Sequence, residues 1–137
     1  MTRTALLILF LAVLAAPAGA QALPSFNQTR FYDQAAFERA IAPYTAAIAR
    51  NANDARAHFF LGIAYLHMAR FHRFGLAPYA RGFDRRAVAS LEQALRLQPA
   101  AEVMLVLLDA YVMVGDLDRH NALAERLSAL AAPLPIR

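Results

Sequence analysis

Two short patterns inside one stretch of chain, Asn53 to Pro99, constrain the fold most. The first is His58-x2-Leu61-Gly62-x2-Tyr65, and the second is Ala87-x3-Leu91-x2-Ala94 followed by Pro99. Each places small residues beside large ones at helical spacing. Gly62, Ala87 and Ala94 allow two helices to approach closely, while Tyr65 and Leu91 fill the space beside them. The two patterns therefore predict a tightly packed helix pair. Between them lies an arginine- and aromatic-rich segment longer than a plain connection needs.

The rest of the chain is helical in the same style. Ala, Leu and Arg dominate, and these favour helix. Val and Ile do not alternate with polar residues, so strands are not expected. Asp33 can cap a first helix whose stripe from Ala36 is Phe37, Ala40, Ile41, Tyr44, Ala47 and Ile48. Pro43 lies within that stripe and is expected to kink the helix or restart it. After the turn Asn51–Asp54, a second helix is expected from about Ala55 to about Arg70, apolar on more than one side and so flanked on several sides. Gly75, Pro78 and Gly82 interrupt it. A third is expected from Asp84 to Gln98, a fourth from about Ala101 to Val114, and a fifth from about Leu117 to Ala131 behind an Asp116 cap. The expected fold class is all-α, with about five mature helices in stacked antiparallel pairs. The domain plan places an extended leader at 21–33, a helical domain at 34–132 with an insertion at about 70–86, and a tail at 133–137.

Residues 1–20 carry Arg3, an apolar run from Ala5 to Ala16, then Pro17 and the small-x-small triplet Ala18-Gly19-Ala20. That is the pattern of an export signal cleaved after Ala20, with Ala22 a second choice. A periplasmic destination follows. The alternative is a membrane-anchored accessory subunit of a membrane complex, held by residues 5–20. The chain has no Cys, so its export does not rest on disulfides or on a lipid-modified cysteine. The formal charge of +4 is too mild to argue for nucleic acid.

These helices resemble tetratricopeptide repeats, units of about 34 residues built as helix pairs with large and small residues interlocked at fixed places. The resemblance is carried by Leu61, Gly62 and Tyr65 on a first helix, and by Ala87, Leu91, Ala94 and Pro99 on a second. Ala40, Tyr44 and Ala47 fit the second helix of a preceding unit. Leu107, Tyr111 and Gly115 fit a further first helix, and Ala124 and Leu127 a further second one. From Ala40 to Ala87 is 47 residues, one repeat of about 34 plus 13 inserted. His58 stands where the family favours Trp, and Leu108 where it favours Gly.

The resemblance implies a protein-binding scaffold whose first helices line a concave groove. On the best-matched helix the groove positions are Arg56, Phe59, Ile63, Leu66 and His67. On the next they are Glu102, Leu105, Asp109 and Val112. This floor is apolar with mixed charge and lacks the basic, Asn-rich character of a carboxylate clamp. The implied ligand is an apolar helix or extended segment of a protein. The bland reading buries Phe59, Ile63 and Leu66 against the preceding helix pair. In the insertion, Arg70, Arg73, Arg81, Arg85 and Arg86 interleave with Phe71, Phe74, Tyr79 and Phe83, with only Asp84 nearby. Such a set can meet an acidic patch on a partner or anionic lipid headgroups. It can equally fold back as a lid with solvated arginines. A short array also leaves apolar ends open, which favours a partner or self-association.

No catalytic chemistry is expected. His58, His67, His72 and His120 lack the company a metal site needs. Ser25, Ser90 and Ser128 lie in no nucleophile motif, and there is no Gly-rich phosphate loop. Neither a cofactor nor a metal is implied.

Overall fold

The computed structural model describes residues 22–131. The expected signal or anchor at 1–20 and the tail at 133–137 lie outside these residues. Five helices follow one another: α1 (Gln34–Arg50), α2 (Ala55–Arg73), α3 (Phe83–Leu97), α4 (Ala101–Val114) and α5 (Leu117–Ala131), with a 3₁₀ turn at Pro78–Ala80 before α3. The described residues contain no strand. The fold is all-α, a short stack of antiparallel helix pairs.

The helix starts follow from caps. The Asp33 carboxylate accepts from the Ala36 amide at 2.8 Å, and that of Asp54 from the Ala57 amide at 2.9 Å. The Asp116 carboxylate does the same for the Arg119 amide at 3.0 Å. Each satisfies a donor that the first turn leaves without a helical partner. The α1 helix is continuous through Pro43, so the expected restart there does not occur. Proline removes the amide that would reach the Arg39 carbonyl. Arg39 is exposed, so water can satisfy that carbonyl instead.

The α2 helix runs three residues past the expected Arg70. Its end is set by Gly75, at φ +75°. The Gly75 amide bonds the His72 carbonyl at 3.0 Å and the Leu76 amide bonds the Phe71 carbonyl at 3.0 Å. This is the hydrogen-bond pair that closes a helix when the residue after its cap turns left-handed. The α3 helix starts at Phe83, one residue before the expected Asp84, because Gly82 provides the cap in a left-handed conformation. Of the segment expected as an insertion, the start therefore extends α2, and Phe74 to Gly82 forms a short connection.

Ring contacts give the packing directions. Tyr44 meets Phe60 at 5.5 Å and Phe37 meets Tyr65 at 5.9 Å, so α1 and α2 run antiparallel. Gly62 faces Leu91 while Tyr65 meets Phe83 at 5.0 Å, so α2 and α3 do too. The α4 helix lies beside α2 with the same direction, pairing Asp109 with Arg70. The core centres on α2, which buries eleven of its 19 residues. Buried on this scale, the helix must be covered on nearly every side. Two sides are α1 and α3. What covers a third side determines the character of the groove.

Candidate functional site

Residues 22–33 cover the groove face of α2. The segment has no helix, but it is docked against the helices. The Phe26 ring is buried. It stacks on Tyr32 at 5.1 Å and meets the edge of the His67 ring at 5.6 Å. Phe31 packs edge-on against Phe71 at 5.4 Å. Three side chains of the helical body donate to main-chain carbonyls of the segment. The Tyr44 hydroxyl reaches the Pro24 carbonyl at 2.7 Å. Nε2 of His67 reaches the Arg30 carbonyl at 2.8 Å. The Tyr79 hydroxyl reaches the Tyr32 carbonyl at 2.6 Å. A carbonyl can only accept, so Nε2 of His67 carries the proton. Burial raises the Tyr44 hydroxyl above its ordinary value. Burial, followed by the nearby Asp33 carboxylate, pushes Tyr79 up to about 12. Both therefore remain neutral donors at physiological pH.

This arrangement places the leader beside two of the expected groove residues on α2, Ile63 and Leu66. Phe59, Ile63 and Leu66 are all buried, Leu66 at 2% exposure. Ile63 and Leu66 lie beside the leader, because both line a cavity of about 190 Å³ with its Gln28. Phe59 packs against Phe60 at 5.8 Å. Arg56 is exposed at the start of α2 and stacks over the Phe60 ring at 4.8 Å.

The α4 side differs. Leu105 is 58% exposed and Val112 48%, and Glu102 and Asp109 are exposed as well. The two sides meet in the same small cavity, where Ile63, Leu66, Arg70, Leu105 and Asp109 come together with Gln28 and Val106. Arg70 and Asp109 form an ion pair across it, so Arg70 is partnered from α4 rather than from Asp84.

The remaining arginines do not form one cluster, although Arg81 and Arg86 line the same crevice. Arg73 lines a small crevice with Asp84 and Met113. Arg81 lies in another, between α1 and α3. Arg86 sits over the Tyr65 and Phe83 rings at 5.8 and 5.4 Å. Arg85 borders a cleft of about 820 Å³ between α3 and the start of α5. That cleft also holds Glu92, which accepts from the Tyr111 hydroxyl at 2.8 Å and from Arg119 at 2.6 Å. Burial, then the hydrogen bond to Glu92, pushes Tyr111 up to about 12. Around the inserted connection, Tyr79 folds inward and Ala77 and Ala80 are fully buried. Phe74 stands 80% exposed and Leu76 56%. The connection is thus a lid at its base and an exposed apolar tip at its turn.

Sequence reasoning missed Phe26, Tyr32, Tyr44 and Tyr79 as groove residues. The signal was present in part: residues 22–33 carry three rings, Phe26, Phe31 and Tyr32, among mostly small or polar residues. Rings in an aperiodic segment need a surface to cover. Among the described residues, no three His, Cys, Asp or Glu side chains lie together as metal ligands, and no helix is long and apolar enough to cross a membrane. No family model matches the chain, and neither does a characterised protein or a solved structure.

Proposed function

We propose that the chain is a non-catalytic interaction scaffold of tetratricopeptide-like helix pairs. It is exported to the bacterial cell envelope and binds a protein partner along α2 and α4. One observation carries this reading: Leu105 and Val112 are large apolar side chains left open on α4, on the face where it meets the covered groove of α2. Scattered apolar side chains are ordinary on a protein surface. Here they extend a groove that already holds an extended segment, and peptide recognition in grooves uses this combination of apolar seats and main-chain hydrogen bonds.

A photo-crosslinking side chain placed at Leu105 or Val112 in the living cell tests the reading. Discrete adducts are expected from those sites and not from Arg96, which is exposed on α3. Identical adducts from all three positions, or none, would sink it. Export is tested separately by sequencing the mature N-terminus, which is expected at Gln21. A start at Met1 would instead favour the anchored accessory subunit.

A further inference from the structure

The leader is attached to the helices in the manner of a bound ligand. Among the described residues, no backbone–backbone hydrogen bond involves residues 22–32. The local order comes from Asn27, whose side chain accepts from the Thr29 amide and hydroxyl. Within the segment the Tyr32 hydroxyl also donates to the Asn27 carbonyl at 3.4 Å, and the remaining hydrogen bonds come from outside it. Tyr44, His67 and Tyr79 each donate to a main-chain carbonyl, which any extended chain could offer. Identity is read only through side-chain seats. The best formed of these is the seat of Phe26, with Tyr32 on its face and His67 at its edge.

A purely structural strap would more simply bury several side chains deeply. This one buries Phe26 and Tyr32 and leaves Pro24, Ser25 and Asn27 to Phe31 exposed. It also borders the cavity that opens toward Leu105. A ligand entering along α4 would thus meet the leader edge-on at Gln28, next to the Phe26 seat.

Resting on the scaffold reading, we infer that the α2 groove is a peptide site closed in cis by residues 22–31, and that its external ligand is an extended protein segment that displaces them by placing an aromatic ring in the Phe26 seat. Tyr32 stays in place in the exchange, because Asp33 beside it caps α1. Tyr44 and His67 then donate to the incoming chain as they do to the leader, while Tyr79 stays bonded to the Tyr32 carbonyl. The leader lowers the apparent affinity for any such partner, because the groove is competent only in the fraction of molecules where it has lifted.

The test uses the full chain and a fluorescent synthetic peptide of residues 22–31 (ALPSFNQTRF). Phe26→Ala in the protein empties the seat and leaves Tyr32, His67 and the carbonyl donors intact. This variant is expected to bind the peptide at least tenfold more tightly than the unaltered protein does. A peptide carrying the same substitution is expected to bind the variant at least tenfold more weakly than the parent peptide. If Phe26→Ala loses helical circular dichroism, Phe26→Leu, which keeps apolar volume, carries the same comparison. A helical variant that binds the peptide no better than the unaltered protein overturns the inference. If the Leu105 crosslinks persist in that case, the scaffold reading stands and only the displaceable leader is lost. Absence of those crosslinks removes both.

Discussion

Gly62 shows how little room the core leaves. A Cβ at this position would lie 2.6 Å from Cγ and 2.8 Å from Cδ2 of Leu91, with the Leu91 backbone nitrogen at 3.3 Å. Leu91 is fully buried, so it cannot swing aside into solvent. Two effects oppose each other in Gly62→Ala. Replacing glycine in a helix interior gains about 1 kcal/mol. Forcing a methyl into a filled core costs about 1–3 kcal/mol. The core term is expected to win, with a net loss of up to about 2 kcal/mol, read as a lower urea midpoint at unchanged slope. Unchanged or raised stability would show that α2 and α3 can separate without cost. The tyrosines make a second prediction at this scale. Tyr79 and Tyr111 are raised in the fold from the ordinary 10 to about 12. Between those values the unfolded chain has lost protons that the folded chain keeps, so stability falls as pH rises, and below pH 10 the contribution is fully present. The urea midpoint should therefore drop from pH 10 to 12, and less steeply in Tyr79→Phe and Tyr111→Phe. A pH-independent midpoint across that window would contradict the assignment.

At the scale of single helices, the caps give the cleanest handle. Asp54→Ala removes the acceptor for the Ala57 amide at the start of α2. The expected loss is about 1 kcal/mol, and Asp54→Asn should recover most of it. Equal losses for both substitutions would show that charge, not capping, matters there. The caps also explain why the elements were legible in sequence. Asp33, Asp54, Asp116, Gly115 and Pro99 are local signals, and each boundary they mark depends on neighbours a few residues away. The interlock of Gly62 with Leu91 was legible for a related reason, since helical spacing places the small and large residues on facing surfaces. The leader was not legible as part of the site. Its contacts join Phe26 to His67 and Tyr32 to Tyr79, each across more than forty residues of chain, and no period in the segment announces a partner. The insertion arginines form one cluster only along the sequence; in the fold Arg81 and Arg86 share a crevice and the others face elsewhere. Helix α2 carries Arg70 and Arg73, α3 carries Arg85 and Arg86, and helical rotation sends each to a different surface.

For the molecule as a whole, stability should be graded from its centre outward. Helix α2 buries eleven residues and touches the leader, α1, α3 and α4. Helix α5 buries Leu123 alone among its described residues. It rests chiefly on α4, with the exposed ion pair from Arg119 to Glu92 reaching back to α3. Exposed ion pairs add at most about 1 kcal/mol, so little beyond the α4 contact holds it. In arrays where each unit leans on its neighbour, a terminal element can open without unfolding the rest. Native-state hydrogen exchange is expected to rank the helices accordingly. Amides of α5 should exchange first, through openings at least about 2 kcal/mol smaller than those of α2, whose central amides should exchange only with global unfolding. Leu123→Ala should make this gap wider, because it removes the one buried side chain of α5 and leaves the α2–α3 interlock untouched. If α5 and α2 instead exchange at one common free energy, the stack is a single cooperative unit, and its last helix is held by contacts stronger than one leucine and a surface ion pair.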